Sequence, residues 1–124
     1  MSNAGMVAPL NSIDSLRLAL RQFATERDWD QFHSPKNLAI ALSIEASELL
    51  EHFQWMAETD SNLLSPEKLN QVRDEMADVL IYLVRLADKL GVDLLEASSK
   101  KLDVNAKKYP AEKVRGSAKK YTDI

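Results

Sequence analysis

The chain has no cysteine, only 3 glycines and 4 prolines, and no apolar run approaching the roughly 20 residues needed to span a bilayer. Without cysteine there is neither a disulfide framework nor a thiolate metal site, and a reducing compartment is the natural setting. The first residues lack the charged and apolar regions of a secretory signal. A cytoplasmic protein with no membrane contact is expected. Basic residues are not in excess either. The net charge of −3 argues against a partner such as a nucleic-acid polymer, whose phosphates demand a basic surface, and leaves free nucleotides open. Scarce glycine and proline beside abundant Leu, Ala, Glu and Lys favour helix over sheet.

At 124 residues the chain has the size of one domain. Ser2-Asn3-Ala4 resembles the remnant of a cleaved expression tag, so residues 1–10 are read as tag remnant and disordered N-terminus. Residues 11–110 are read as a helical domain. Ser12, or Asn11 before it, can cap a first helix that carries Ile13, Leu16, Leu20 and Phe23 and runs to about Asp28. Ser34-Pro35 pairs an N-cap with a proline at the first helical position. It opens a second helix whose periodic residues Leu38, Leu42, Leu49, Phe53 and Met56 extend it to about Ala57. Ser65-Pro66 repeats that signal, and the core face of the third helix includes Val72, Met76, Val79, Leu83 and Leu90. Gly91 suits the left-handed residue past the end of that helix, and Asp93 can cap a fourth that runs to about Tyr109 and stops at Pro110. Residues 111–124, with four basic and two acidic residues, have too few large apolar groups to anchor themselves and are expected to form a flexible tail. Short connections suit antiparallel neighbours, so the fold class expected is all-α, a four-helix bundle.

Glu45 breaks the pattern, because it falls on the stripe that Leu38, Leu42 and Leu49 turn toward the core. Burying an ionised carboxylate costs several kcal/mol, so it must be neutralised, paired with a cation or bound to metal. Glu48, three residues on, lies roughly 60° around the helix and can approach the same point. The third helix repeats the spacing with Glu75 and Asp78, the latter followed at once by the apolar run Val79, Leu80, Ile81. Two facing helices would then present four oxygen-donor side chains around one space. Such a set suits a hard cation, Mg²⁺ with Mn²⁺ as a substitute, which retains waters and leaves room for phosphates. Di-iron bundles instead place a histidine three residues after a glutamate, and neither His33 nor His52 has a glutamate at that position. The competing reading makes the acids solvated faces paired with nearby Lys and Arg, and it is the ordinary one for a single E-x-x-E. Two such pairs, one on an apolar stripe, weigh against it.

These residues resemble the pattern of the MazG-like all-α nucleotide pyrophosphohydrolases, E-x-x-E followed after a spacer by E-x-x-D. Here it reads Glu45-Ala46-Ser47-Glu48 and then Glu75-Met76-Ala77-Asp78. Arg27-Asp28-Trp29, Phe32 to Leu38, Phe53-Gln54-Trp55 and Asn105 to Pro110 are similar to the dCTP pyrophosphatase branch. The resemblance covers about Leu16 to Pro110.

It implies a hydrolase that splits a nucleoside triphosphate, dCTP or a modified dCTP, into monophosphate and pyrophosphate as nucleotide-pool house-cleaning. Glu45, Glu48, Glu75 and Asp78 would hold Mg²⁺ on the triphosphate, and Glu45 or Glu48 would orient or deprotonate the attacking water. Lys101, Asn105 and Lys108 share one face of the fourth helix and would meet phosphate. Trp29, His33, Trp55 and Tyr82 would wall the base, with Asn37 or Asn105 bonding its polar edges. Both tryptophans could instead fill core or subunit interface. An exposed acidic and apolar groove calls for a second copy, so a homodimer or homotetramer is expected. The rival functional reading is a non-enzymatic helical oligomeric interaction module in which the acids pair with a basic partner.

Overall fold

The computed structural model describes residues 9–123, and the expected tag remnant at residues 2–4 lies outside them. The described chain is all-α, with no strand among its described residues. It divides into two compact units, Met1–Gly91 and Val92–Ile124.

The first unit contains α1 (Ile13–Glu26), α2 (Pro35–Glu51) and α3 (Pro66–Leu90), with single 3₁₀ turns at Asp30–Phe32 and Thr59–Asn62. Each helix starts where its hydroxyl cap stands. Ser12 Oγ accepts from Ser15 N at 3.0 Å in a reciprocal capping box, Ser34 Oγ from Asn37 N at 3.1 Å, and Ser65 Oγ from Lys68 N at 3.2 Å. Each such cap contributes about 1 kcal/mol by satisfying a donor that the helix itself leaves free. Helix α3 ends as expected, with Gly91 in the left-handed region at φ 67°.

Two ends differ from expectation. Helix α1 stops at Glu26, and Asp28 takes φ 53°. Asp28 N donates to Thr25 O and Trp29 N to Ala24 O, the paired bonds of a Schellman ending with aspartate in place of glycine. Gln31 Nε2 donates to the Asp28 carboxylate at 3.0 Å, which helps hold the turn. Helix α2 stops at Glu51, short of Ala57. There the backbone tightens into turns in which Phe53 N donates to Leu50 O and Met56 N to Phe53 O, so Phe53 and Met56 leave the helical stripe.

Helix α3 packs against both α1 and α2. The buried apolar residues of the described chain are Ala24, Leu38, Val72, Val84 and Ala87. Phe23, Met76, Leu83 and Leu90, expected on core faces, are exposed, whereas Val84 and Ala87 are buried in their place. Because α3 is contacted from two sides, its interior stripe is wider than one heptad seam and rotated from the simple periodic reading.

The second unit contains α4 (Leu94–Lys108), the short α5 (Ala111–Val114) and a 3₁₀ turn at Tyr121–Asp123. Asp93 Oδ1 caps α4 by accepting from Glu96 N at 3.0 Å. The α4 helix ends one residue before Tyr109, with Pro110 beyond it. The Tyr109 and Tyr121 rings meet edge to face at 6.1 Å, and Lys108 Nζ lies 5.0 Å from the Tyr121 ring centre.

Candidate active site

Helices α2 and α3 converge where the periodicity of α2 had placed an acid on an apolar stripe. One carboxylate oxygen each from Glu45, Glu48 and Glu75 lies within 4.8 Å of the others. All three side chains are half-buried. Asp78, one turn beyond Glu75, is half-buried too and lies outside that tight group, but its charge acts on Glu45. Among the described residues, no salt bridge reaches any of these four acids. Two oxygens, Glu45 Oε2 and Glu75 Oε2, are buried with no hydrogen-bond partner. An orphaned buried acceptor costs about 1–3 kcal/mol, and more when ionised, so the chain alone leaves the site unsatisfied.

The electrostatics follow from the geometry. Burial, then the adjoining carboxyls of Glu75 and Glu48, then the charges of Glu48 and Asp78 push Glu45 up to about 7. A cluster of acids with no internal counter-charge, two orphaned oxygens and oxygen donors on two rigid helices fits a hard divalent cation.

The remaining sequence-predicted residues are distributed as follows. Trp29 is held by the Schellman turn, with its ring edge-on to Phe23 at 5.8 Å and to His33 at 6.5 Å. The Arg27 guanidinium lies over the Phe23 ring, 3.6 Å from its centre. His33 is half-buried, and desolvation, followed by the charges of Arg85 and Lys89, lowers its pKa. Asn37 donates its side-chain amide to Phe32 O at 3.0 Å, which ties the 3₁₀ turn to the first turn of α2. Trp55 is 90 % exposed, in the turns that follow α2. Tyr82 is half-buried one turn after Asp78. In the second unit, Lys101 and Lys108 are exposed and Asn105 is half-buried, all three on α4.

Sequence reasoning missed a second charged centre. Arg85, 4 % exposed, donates to Asp30 at 2.6 Å, to His33 Nδ1 at 3.2 Å and to Asp88 at 3.4 Å. Asp88 also accepts from Arg21 at 2.6 Å and from Arg17 at 3.3 Å, and Lys89 pairs with Asp30. A signal was present: an arginine between Val84 and Leu86, in the apolar run after Asp78, is as anomalous as Glu45 among leucines.

The chain is similar to known proteins over most of its length. The model of the MazG-like family matches residues 40–124. The chain is 44% identical over 119 residues to the mouse (Mus musculus) protein dCTP pyrophosphatase 1, covering 94% of this chain and 70% of that one. Identity to the human (Homo sapiens) protein of the same name is 42% with the same coverage. Among solved structures, a pyrophosphatase from Archaeoglobus fulgidus superposes with a TM-score of 0.71 at 39% identity, covering 85% of this chain and 98% of that one.

Proposed function

The chain belongs to the MazG-like family, and from that premise we propose that it is a Mg²⁺-dependent nucleoside triphosphate pyrophosphohydrolase acting on dCTP or a modified dCTP. Its products are the monophosphate and pyrophosphate, and its role is nucleotide-pool house-cleaning. The observation that carries this reading is the Glu45–Glu48–Glu75 cluster with its two orphaned oxygens. When bound there, Mg²⁺ neutralises charge developing on the triphosphate oxygens and makes nearby water more acidic; Mn²⁺ substitutes for it.

The chain's own residues do the rest. Glu45, Glu48, Glu75 and Asp78 supply the oxygen donors. Glu45 or Glu48 orients the attacking water toward the α-phosphorus and is the carboxylate that would accept its proton. Trp29 and Trp55 offer flat faces for the base, while His33, Asn37 and Tyr82 offer polar tips. Lys101, Asn105 and Lys108 provide the phosphate contacts. Trp55 and Leu63 are 90 % and 87 % exposed, and Ile40, Ile44, Met76 and Leu80 are exposed on α2 and α3. So much uncovered apolar surface supports a homodimer or homotetramer. No helix among the described residues is long and apolar enough to cross a membrane. The cysteine-free composition favours a reducing compartment, and we place the protein in the cytoplasm.

The test is pyrophosphate release from a panel of canonical and modified dNTPs and NTPs, with Mg²⁺ and with chelator, using Glu45→Gln as the blank. Metal-dependent formation of pyrophosphate and monophosphate, fastest with dCTP or a modified dCTP, is expected. Orthophosphate and diphosphate would mean attack at the terminal phosphorus and would overturn the mechanism. A folded oligomer that turns over no nucleotide would put a non-enzymatic interaction module in its place.

A further inference from the structure

Arg85 is the one buried charged residue of the described chain, and nothing in the proposed hydrolysis uses it. A guanidinium is expensive to desolvate, and a Leu or Met would fill the space beside Val84 and Ala87 more cheaply. Its donors, however, are aimed. One terminal nitrogen is anchored by Asp30 at 2.6 Å, the other reaches Asp88 at 3.4 Å, and Nε–H points at His33 Nδ1, 3.2 Å away. Arginine keeps its protons under all ordinary conditions and cannot accept, so the ring nitrogen facing it must carry a lone pair. The proton of a neutral imidazole is thereby confined to Nε2. Among the described residues Nε2 has no hydrogen-bond partner, and it is not sealed from solvent. The ring it belongs to stands edge-on to Trp29.

We propose that Arg85 is a positioning residue that locks His33 as the Nε2–H tautomer, so that a neutral donor beside Trp29 meets a hydrogen-bond acceptor on the substrate's base. This rests on the functional reading above only for the identity of the ligand. The acceptor class is a ring nitrogen or carbonyl oxygen of the kind cytosine presents as N3 and O2. The charged groups that face His33 are Arg85 and Lys89 from α3 and Asp30 from its own turn. The two cations oppose a proton on Nδ1, and the single carboxylate is already engaged by both. A neutral ring avoids adding a fixed positive charge that would draw phosphate into the place of the base. The same desolvation and cationic neighbours lower the pKa of His33, which keeps the ring neutral at physiological pH.

The experiment is long-range ¹H–¹⁵N correlation on the full chain, in which His33 and His52 are the only histidines and His52→Gln assigns them. The resting protein should show an unprotonated Nδ1 and a protonated Nε2 on His33 at neutral pH. Arg85→Met should fold, since Asp88 keeps Arg17 and Arg21 and Asp30 keeps Lys89. That variant should show mixed tautomers and a KM for dCTP raised about tenfold with kcat nearly unchanged, the loss of roughly one hydrogen bond in binding. A proton on Nδ1 in the unaltered protein would overturn the proposal, with or without a folded variant. So would Arg85→Met that leaves both tautomer and KM as they were. Because the tautomer is read without substrate, a protein that hydrolyses no nucleotide yet shows the Nε2–H form upholds the lock and overturns only the functional reading.

Discussion

At Glu75, helix α3 brings an acid beside two more acids; at Asp88, roughly four turns further along the same helix, it brings an acid beside three arginines. The first group leaves two buried oxygens without partners, and Glu45 is pushed up to about 7. In the second group, hydrogen bonds from Arg21 and Arg17 hold Asp88 below its usual pKa, although its side chain is only 8% exposed. One region carries its own counter-charges and is finished as a piece of structure. The other is finished only by a cation from outside, and that difference is what separates a candidate active site from an ion-pair network of comparable burial.

The contrast breaks most visibly through two substitutions. Glu45→Gln removes charge from the acidic group. Metal-dependent pyrophosphate release should fall about 1,000-fold, about 4 kcal/mol of transition-state stabilisation, while the metal-free protein melts at the same temperature or higher. Equal activity in the variant would remove Glu45 from the site. Asp88→Ala should do the reverse. With Asp88 gone, Arg85 keeps Asp30 but loses the acid beside it, Arg21 loses its partner and Arg17 is left with Asp14, so denaturant titration should show a loss of about 3 kcal/mol. Turnover per folded molecule should change little. A variant as stable as the parent would make the network a surface feature rather than a structural one.

Much of this frame was legible in local sequence. Ser12, Ser34-Pro35, Ser65-Pro66, Gly91 and Asp93 mark helix ends through bonds made within a turn, and the structure places the ends of the helices there. Glu45 was legible because a period of 3.6 residues predicts what should be apolar, and an acid there is an exception that needs a cause. The early ends of α1 and α2 were not. Aspartate is only an occasional left-handed residue, and Phe53 and Met56 continue an apolar period across turns that are no longer helical. Nor was the Arg85 network. Its partners Asp30, His33, Arg17 and Arg21 come from other elements, and the pairing depends on how α1 and the turn after it pack on α3. Periodicity also could not tell that Glu45, Glu48 and Glu75 form the tight group while Asp78 stands just outside it.

Metal addition sharpens the comparison from the other side. A cation that binds only the folded state stabilises it by mass action, about 2.7 kcal/mol at a hundredfold excess over its dissociation constant. Mg²⁺ should therefore raise the melting temperature of the parent and of Asp88→Ala alike, and leave Glu45→Gln nearly unmoved. If Asp88→Ala lost the response, the two regions would be coupled rather than independent.

The smallest effect is the one most specific to the acidic group, and it is the dependence of metal-free stability on pH. Folding raises the pKa of Glu45 from 4.5 to about 7, so between those values the folded chain holds a proton that the unfolded chain has released. The favourable contribution of Glu45 is complete below about pH 4.5 and is lost as pH rises toward and through 7. Asp30 and Asp88 act with the opposite sign in a lower window. Their folded pKa values lie beneath 3.8, so their contribution is present above that value and disappears as pH falls through the lowered ones. His33, whose pKa is lowered from 6.5, adds stability as pH rises toward 6.5 and partly masks Glu45. The difference between parent and Glu45→Gln removes both of those backgrounds, since the substitution touches neither group. With chelator present, that difference should shift in favour of the Gln variant as pH rises from about 4.5 to 7 and then level off. A flat difference would mean that Glu45 ionises as freely in the folded chain as in the unfolded one, and the acids would then be no more crowded than those on any solvated helix face.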